Sequence, residues 1–177
     1  MLRLVLGPLA GLAFCLLPAL ASAAPVVVAS IKPVYALTAA VMQGAGTPHL
    51  IVQGGASPHS TSLRPSDAAA LENARVVVWV GAGLEAFLAS PIEALAENAR
   101  VVELSKLPGL TRLAFREGGA WGDHEEAEEH GDAHGHDHDQ EDGAIDQHLW
   151  LDPENARVMA EAIAEALIAA DPANSGI

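Results

Sequence analysis

Arg75-Val76-Val77-Val78-Trp79-Val80, closed by Gly81-Ala82-Gly83, is the run that decides the fold. It is continuous and β-branched, with no polar alternation, as a strand covered on both faces requires. A sheet of that kind is parallel and needs helical crossovers on either side. The flanking sequence supplies them. Upstream, Pro65 suits the first position of a helix over roughly 66–73, with Asp67 near its positive end. Before that, 49–52 reads as a strand running into the turn-rich Gly54-Gly55-Ala56-Ser57-Pro58. Residues 33–43 form a helical stretch opened by Pro33 and closed by Gly44, and 26–29 a first short strand. Downstream, two short helices are expected over 84–89 and 91–98, separated at Pro91, then a fourth strand over 101–104. Pro153 to Ala170 is a helix whose apolar face holds Val158, Ala162, Ile163, Ala166 and Leu167. The fold class is α/β, a parallel sheet flanked by helices, in which ligands sit beyond the carboxyl ends of the strands.

The first 24 residues stand outside that core. Arg3 is followed by an apolar block, Leu4 to Leu20, broken by prolines and glycines, and then by Ala21-Ser22-Ala23-Ala24. A positive tip, an apolar middle and an Ala-x-Ala exit make a secretory signal peptide, with cleavage expected near residues 23–24. The block is short for a membrane span of about 20 residues. The single cysteine, Cys15, lies inside it, so the mature chain over 25–177 carries no disulfide. An exported chain without an anchor points to the periplasm.

The formal charge is −14, which excludes nucleic acid as a partner, since that polyanion selects basic faces. The charge is local. Residues 117–142 hold eleven Asp and Glu and no Lys or Arg, and account for all but −3 of the total. The same stretch carries His124, His130, His134, His136 and His138, five of the eight histidines. Neutral imidazole is a good ligand for zinc, copper and nickel, and carboxylates add oxygen donors. A His/acid-rich insert with almost no apolar residues has nothing to pack its ligands into fixed geometry, so it is expected to bind metal loosely.

Two histidines sit in stiffer surroundings. His59 follows Pro58, between the Gly-rich turn and the Pro65 helix. His148 lies in Asp146-Gln147-His148-Leu149-Trp150-Leu151-Asp152-Pro153, just before the long helix. Rigid framing is what a metal site wants, and Asp146 is placed to accept the second ring proton of a ligating His148. His49, after Pro48 at a strand start, is expected to be structural or exposed. No His-Glu-x-x-His helix, Gly-x-Ser-x-Gly elbow or phosphate loop occurs, so the pattern points to binding rather than catalysis.

Ala56-Ser57-Pro58-His59, followed by Leu63-Arg64-Pro65-Ser66-Asp67, resembles the first metal-ligand segment of the periplasmic zinc-uptake binding proteins of the ZnuA type. Val78-Trp79-Val80-Gly81-Ala82-Gly83-Leu84-Glu85 resembles the strand and turn that follow it, and the segment 146–153 the second ligand segment. A His- and acid-rich insert between the two is itself typical of the zinc branch. The resemblance implies the N-terminal lobe of a two-lobed metal-binding protein, whose second lobe is missing from this chain. It implies Zn²⁺ held between lobes, with His59 and His148 as the ligands of the first lobe and a third histidine and a carboxylate in the second. It further implies a monomer serving an inner-membrane ABC permease, with a periplasmic zinc chaperone as a further partner. Ser60 departs from the acidic residue that often follows the first histidine. Two other readings of the same residues are a zinc buffer or metallochaperone acting through the insert, and a manganese- or iron-binding homologue. The histidine excess disfavours the latter, since manganese prefers oxygen donors.

Overall fold

The structure is a computed structural model that describes residues 25–59, 61–115 and 145–176. The expected signal peptide and the insert, with His124, His130, His134, His136 and His138, lie outside the described residues.

Four strands form one parallel sheet: β1 (Val27–Ala29), β2 (His49–Leu50), β3 (Val76–Trp79) and β4 (Arg100–Glu103), in the order β2-β1-β3-β4. Helix α1 (Lys32–Val41) joins β1 to β2, α2 (Pro65–Glu72) joins β2 to β3, and α3 (Ala86–Leu95) joins β3 to β4. The long α4 (Pro153–Ala170) closes the lobe. Chain direction reverses across the sheet: β1 connects outward to β2, whereas β3 connects outward to β4 on the other side. With crossovers of one hand, that reversal puts α1 on the face opposite to α2 and α3. In accord with it, α1 packs against α4, and α2 against α3.

Burial follows the sequence pattern. Every residue of β3 is buried, as are all three of β1. Ladder bonding outlasts the two named residues of β2, because Ile51 N donates to Ala29 O (3.0 Å) and Val52 N to Ser30 O (2.8 Å), with both side chains in the core. The face of α4 that meets the sheet is led by Met159 and Ile163, both fully buried, with Val158 and Leu167 packed at its margin. Met159 was not among the residues expected on that face.

Pro91 does not divide the stretch after β3 into two helices. One helix runs from Ala86 to Leu95 with Pro91 inside it. Pro removes one helical hydrogen bond, but Leu84, Leu88 and Ile92 repeat every four residues and all are buried. Keeping that stripe against the core outweighs the missing bond.

Candidate metal centre

The carboxyl ends of β1 and β2 open into a cavity of about 210 Å³, lined by Ile31, Lys32 and Pro33 after β1, Val52, Gly54, Ala56 and Pro58 after β2, and His148 and Trp150. The two segments singled out for their framed histidines therefore meet at one place. His148 lines the cavity directly. His59 is exposed and adjoins it through Pro58. Among the described residues no group of three or more His, Cys, Asp or Glu stands together to hold a metal ion.

His148 is held for presentation. Its Nδ1 meets Asp146 Oδ1 at 2.6 Å, and its backbone N–H donates to the same oxygen at 3.0 Å. A carboxylate on Nδ1 favours the tautomer with the proton there and leaves Nε2 as the free lone pair. Trp150 lies edge-on to the imidazole, ring centroids 5.3 Å apart. The ring itself stays 45 % exposed, open to a ligand.

What lies beneath fixes the height of this segment. The turn after β3 is closed by Glu85, wholly buried, whose Oε2 accepts from Val80 N (2.8 Å) and Gly81 N (3.2 Å). Burial pushes the Glu85 carboxyl up, against the opposing pull of the Ser30 hydroxyl and the amides of Gly81 and Val80. Ser30 lies beside the carboxyl without closing a well-formed bond. Glu85 Oε1 and Ser30 Oγ both lack a hydrogen-bond partner of good geometry among the described residues. Gln147 rests on the same turn: a Cβ added at Gly83 would stand 3.0 Å from Gln147 Cδ. From α4, Asn155 reaches back to the segment before the insert and to Leu149 O.

His59 depends on its neighbours. Its backbone N–H donates to Ser57 Oγ at 3.3 Å, and no ring contact is formed among the described residues. The base of its loop is firmer. Asp67, only 1 % exposed, accepts from Arg64 Nε and Nη2 at 2.8 Å each, from Arg64 N at 3.2 Å, and meets His49 Nε2 at 2.9 Å. Burial pushes the Asp67 carboxyl up, but the bonds from Arg64 and His49 outweigh it and leave the group below the usual carboxylate range. His49 is thus structural, as its place at a strand start implied.

Residues 27–177 match the family described as ZnuA, zinc-uptake complex component A, periplasmic. The chain belongs to that family. Among relatives named high-affinity zinc uptake system protein ZnuA, that of Brucella abortus (strain 2308) is 45% identical over 168 residues, covering 82% of this chain and 49% of the relative. That of Yersinia pestis is 40% identical over 162 residues, covering 88% and 49%. The chain spans about half the length of the curated relatives it matches. Two solved structures share the fold at low identity. A Mn-bound periplasmic metal binding protein from Candidatus Liberibacter asiaticus has a TM-score of 0.64 at 21% identity, over 86% of this chain and 48% of that one. The metal-dependent lipoprotein YcdH from Bacillus subtilis has a TM-score of 0.62 at 22% identity, over 85% and 46%.

Within the ZnuA frame, sequence reasoning had named the two exposed histidines and Asp146 but passed over the residues that position them. Lys32, Arg64, Gln147 and Asn155 are not zinc ligands by type, and the one carboxylate among these residues, Glu85, is buried against the Val80 and Gly81 amides. One signal was available: Arg64 precedes Pro65, and Asp67 stands three residues on, the spacing at which a side chain returns to the start of a helix.

Proposed function

We propose that this chain is the N-terminal lobe of a periplasmic zinc-binding protein, with His59 and His148 as its contribution to a site for Zn²⁺ that is passed to an ABC-type membrane permease. The observation that carries the reading is the convergence of the Pro58-His59 loop and His148 on one cavity beyond the parallel strands, with Asp146 fixing the His148 ring. Residues 1–24 act as a cleaved signal peptide, and the lobe starts at Pro25. The family and its relatives, named for zinc uptake, support zinc over manganese or iron, and imidazole ligands suit it. The protein acts by binding and release, with no catalytic role.

Two imidazoles leave a tetrahedral zinc ion short of ligands, and bound water fills the gap weakly. In proteins of the relatives' length the missing donors come from the part this chain does not span. The insert over 117–142 collects and buffers metal on its five histidines. A competitive zinc titration tests this division. Replacing both His59 and His148 by Ala removes the tightest class of binding, whereas deleting residues 117–142 lowers the number of loose equivalents. The opposite pattern would establish the insert as the working site and the chain as a zinc buffer.

A further inference from the structure

The Pro58-His59 loop starts on a flexible joint. Gly54, at φ +64°, and Gly55 follow each other, and a Cβ at either would meet nothing within 4 Å, so packing does not hold them. The loop's own bonds among the described residues are few and long: Ala56 N to Gln53 O at 3.3 Å across the glycine pair, and His59 N to Ser57 Oγ at 3.3 Å beyond it. A chain with two glycines and so little internal bonding samples many directions unless something outside it fixes the first peptides.

Two cations do this from the starts of α1 and α2. Lys32, the first residue of α1, donates from Nζ to Gly54 O, the carbonyl inside the glycine pair. Arg64, just before α2, donates from Nη2 to Ile51 O at 3.2 Å and from Nη1 to Gln53 Oε1 at 3.1 Å. Gln53 in turn donates to Leu50 O at 3.0 Å. The Arg64 fork is itself immobilised by the buried Asp67, which His49 supports from β2. Planar and bidentate, a guanidinium so held keeps its remaining donors aimed.

We propose that Lys32 and Arg64 are positioning residues for metal capture: by pinning Ile51 to Gly54, up to the first peptide of the glycine joint, they set the direction in which the loop leaves the sheet and so aim His59 at the cavity His148 lines. The proposal rests on the reading of His59 as a zinc ligand. It gives the Arg64-Pro65-Ser66-Asp67 segment a function beyond starting a helix. It also accounts for a lysine bordering that cavity: its ammonium is engaged by a carbonyl of the loop.

The test uses this chain with ring-labelled histidines, at free zinc set by a chelator buffer. In Arg64→Ala and Lys32→Met, amide exchange at Gly55 to Ser57 speeds up. The zinc concentration that half-shifts the His59 ring signal rises about tenfold, the scale of losing one hydrogen bond to a charged group. The metal-free His148 signal holds in both variants and the melting temperature holds in Lys32→Met, whereas Arg64→Ala, which strips the buried Asp67 carboxylate of its main partner, melts lower. Lys32→Arg, which still donates to Gly54 O, restores the parent response. Unchanged exchange and an unchanged His59 midpoint in both variants overturn the proposal, as does a midpoint shift only in proportion to lost fold stability. A parent chain whose His59 ring ignores zinc refutes the ligand reading instead. The exchange measurement then still decides whether the two cations hold the loop. Should Arg64→Ala fail to fold, Lys32→Met alone decides, since Lys32 takes no part in the Asp67 network.

Discussion

Asn155 offers the sharpest test of how the His148 segment is built. It is the third residue of α4 and is 2 % exposed. Its Oδ1 accepts from Thr111 N at 2.8 Å, and its Nδ2 donates to Thr111 O at 2.8 Å and Leu149 O at 3.1 Å. One side chain thus ties the end of the chain before the insert to the segment that carries His148. Asn155→Ala removes three hydrogen bonds, each worth about 1 kcal/mol net, and leaves the Leu149 carbonyl with only the long bond from Asp152 N at 3.4 Å. Thr111 is exposed, so water recovers part of its share. The expected cost is about 3 kcal/mol, or roughly 10 °C in melting temperature for a lobe of this size. Asn155→Asp separates the hydrogen-bond argument from mere packing. It keeps the volume and the bond from Thr111 N, but turns a carboxylate oxygen towards two carbonyls. At neutral pH it should destabilise at least as much as Ala, and part of the loss should return in acid as the group protonates. Urea unfolding followed by tryptophan fluorescence reads both, since Trp150 sits on the affected segment. A loss below about 1 kcal/mol for Ala, or tolerance of Asp equal to Asn, would refute the account.

Glu85→Gln tests the buried acid under the β3 turn. Its folded pKa is raised by burial, so its contribution to stability is full below the unfolded value and falls as pH rises through the folded one. The variant should therefore gain on the parent as pH climbs from about 4.5 towards neutrality, and a constant difference across that range would sink the assignment. Asp67→Asn should behave in the opposite sense. Its carboxyl is held below the usual range, so the parent's advantage is present above the unfolded value and disappears as pH falls through the folded one, which paired unfolding curves between neutral pH and strong acid would show. Gly81→Ala puts a Cβ 2.5 Å from Ser105 Oγ at a φ of +145°, and should cost about 2 kcal/mol by thermal unfolding. Met159→Ala, opening a hole beneath the fully buried face of α4, should cost roughly 2–5 kcal/mol in urea, and a smaller loss would mean the site collapses.

Much of the architecture was legible in residue order. The unbroken Val76-Val77-Val78 run required a sheet covered on both faces, and the alternation of strand and helix around it required parallel pairing. Prolines at 33, 65 and 153 marked helix starts closely, because a fixed φ and a missing donor suit the first turn of a helix. The same rule misled at Pro91. Local propensity argued for a break there, while burial of Leu88 and Ile92 on one stripe, which only the packed lobe supplies, carried the helix through.

The candidate site divides in the same way. His59, His148 and Asp146 could be named from the chain because ligand chemistry is a property of residue type and near spacing, and the Asp146–His148 pair lies two residues apart. The residues that place them could not. Lys32 meets Gly54 across 22 positions and Asn155 meets Thr111 across 44, and no local pattern links such pairs. Sequence alone determined the fold class and named the candidate donors, since both follow from hydrophobic period and side-chain type. Tertiary structure decided which segments border the same cavity and what holds them there. Those choices depend on strand order, which brings the loops after β1 and β2 and the segment before α4 to one end of the sheet.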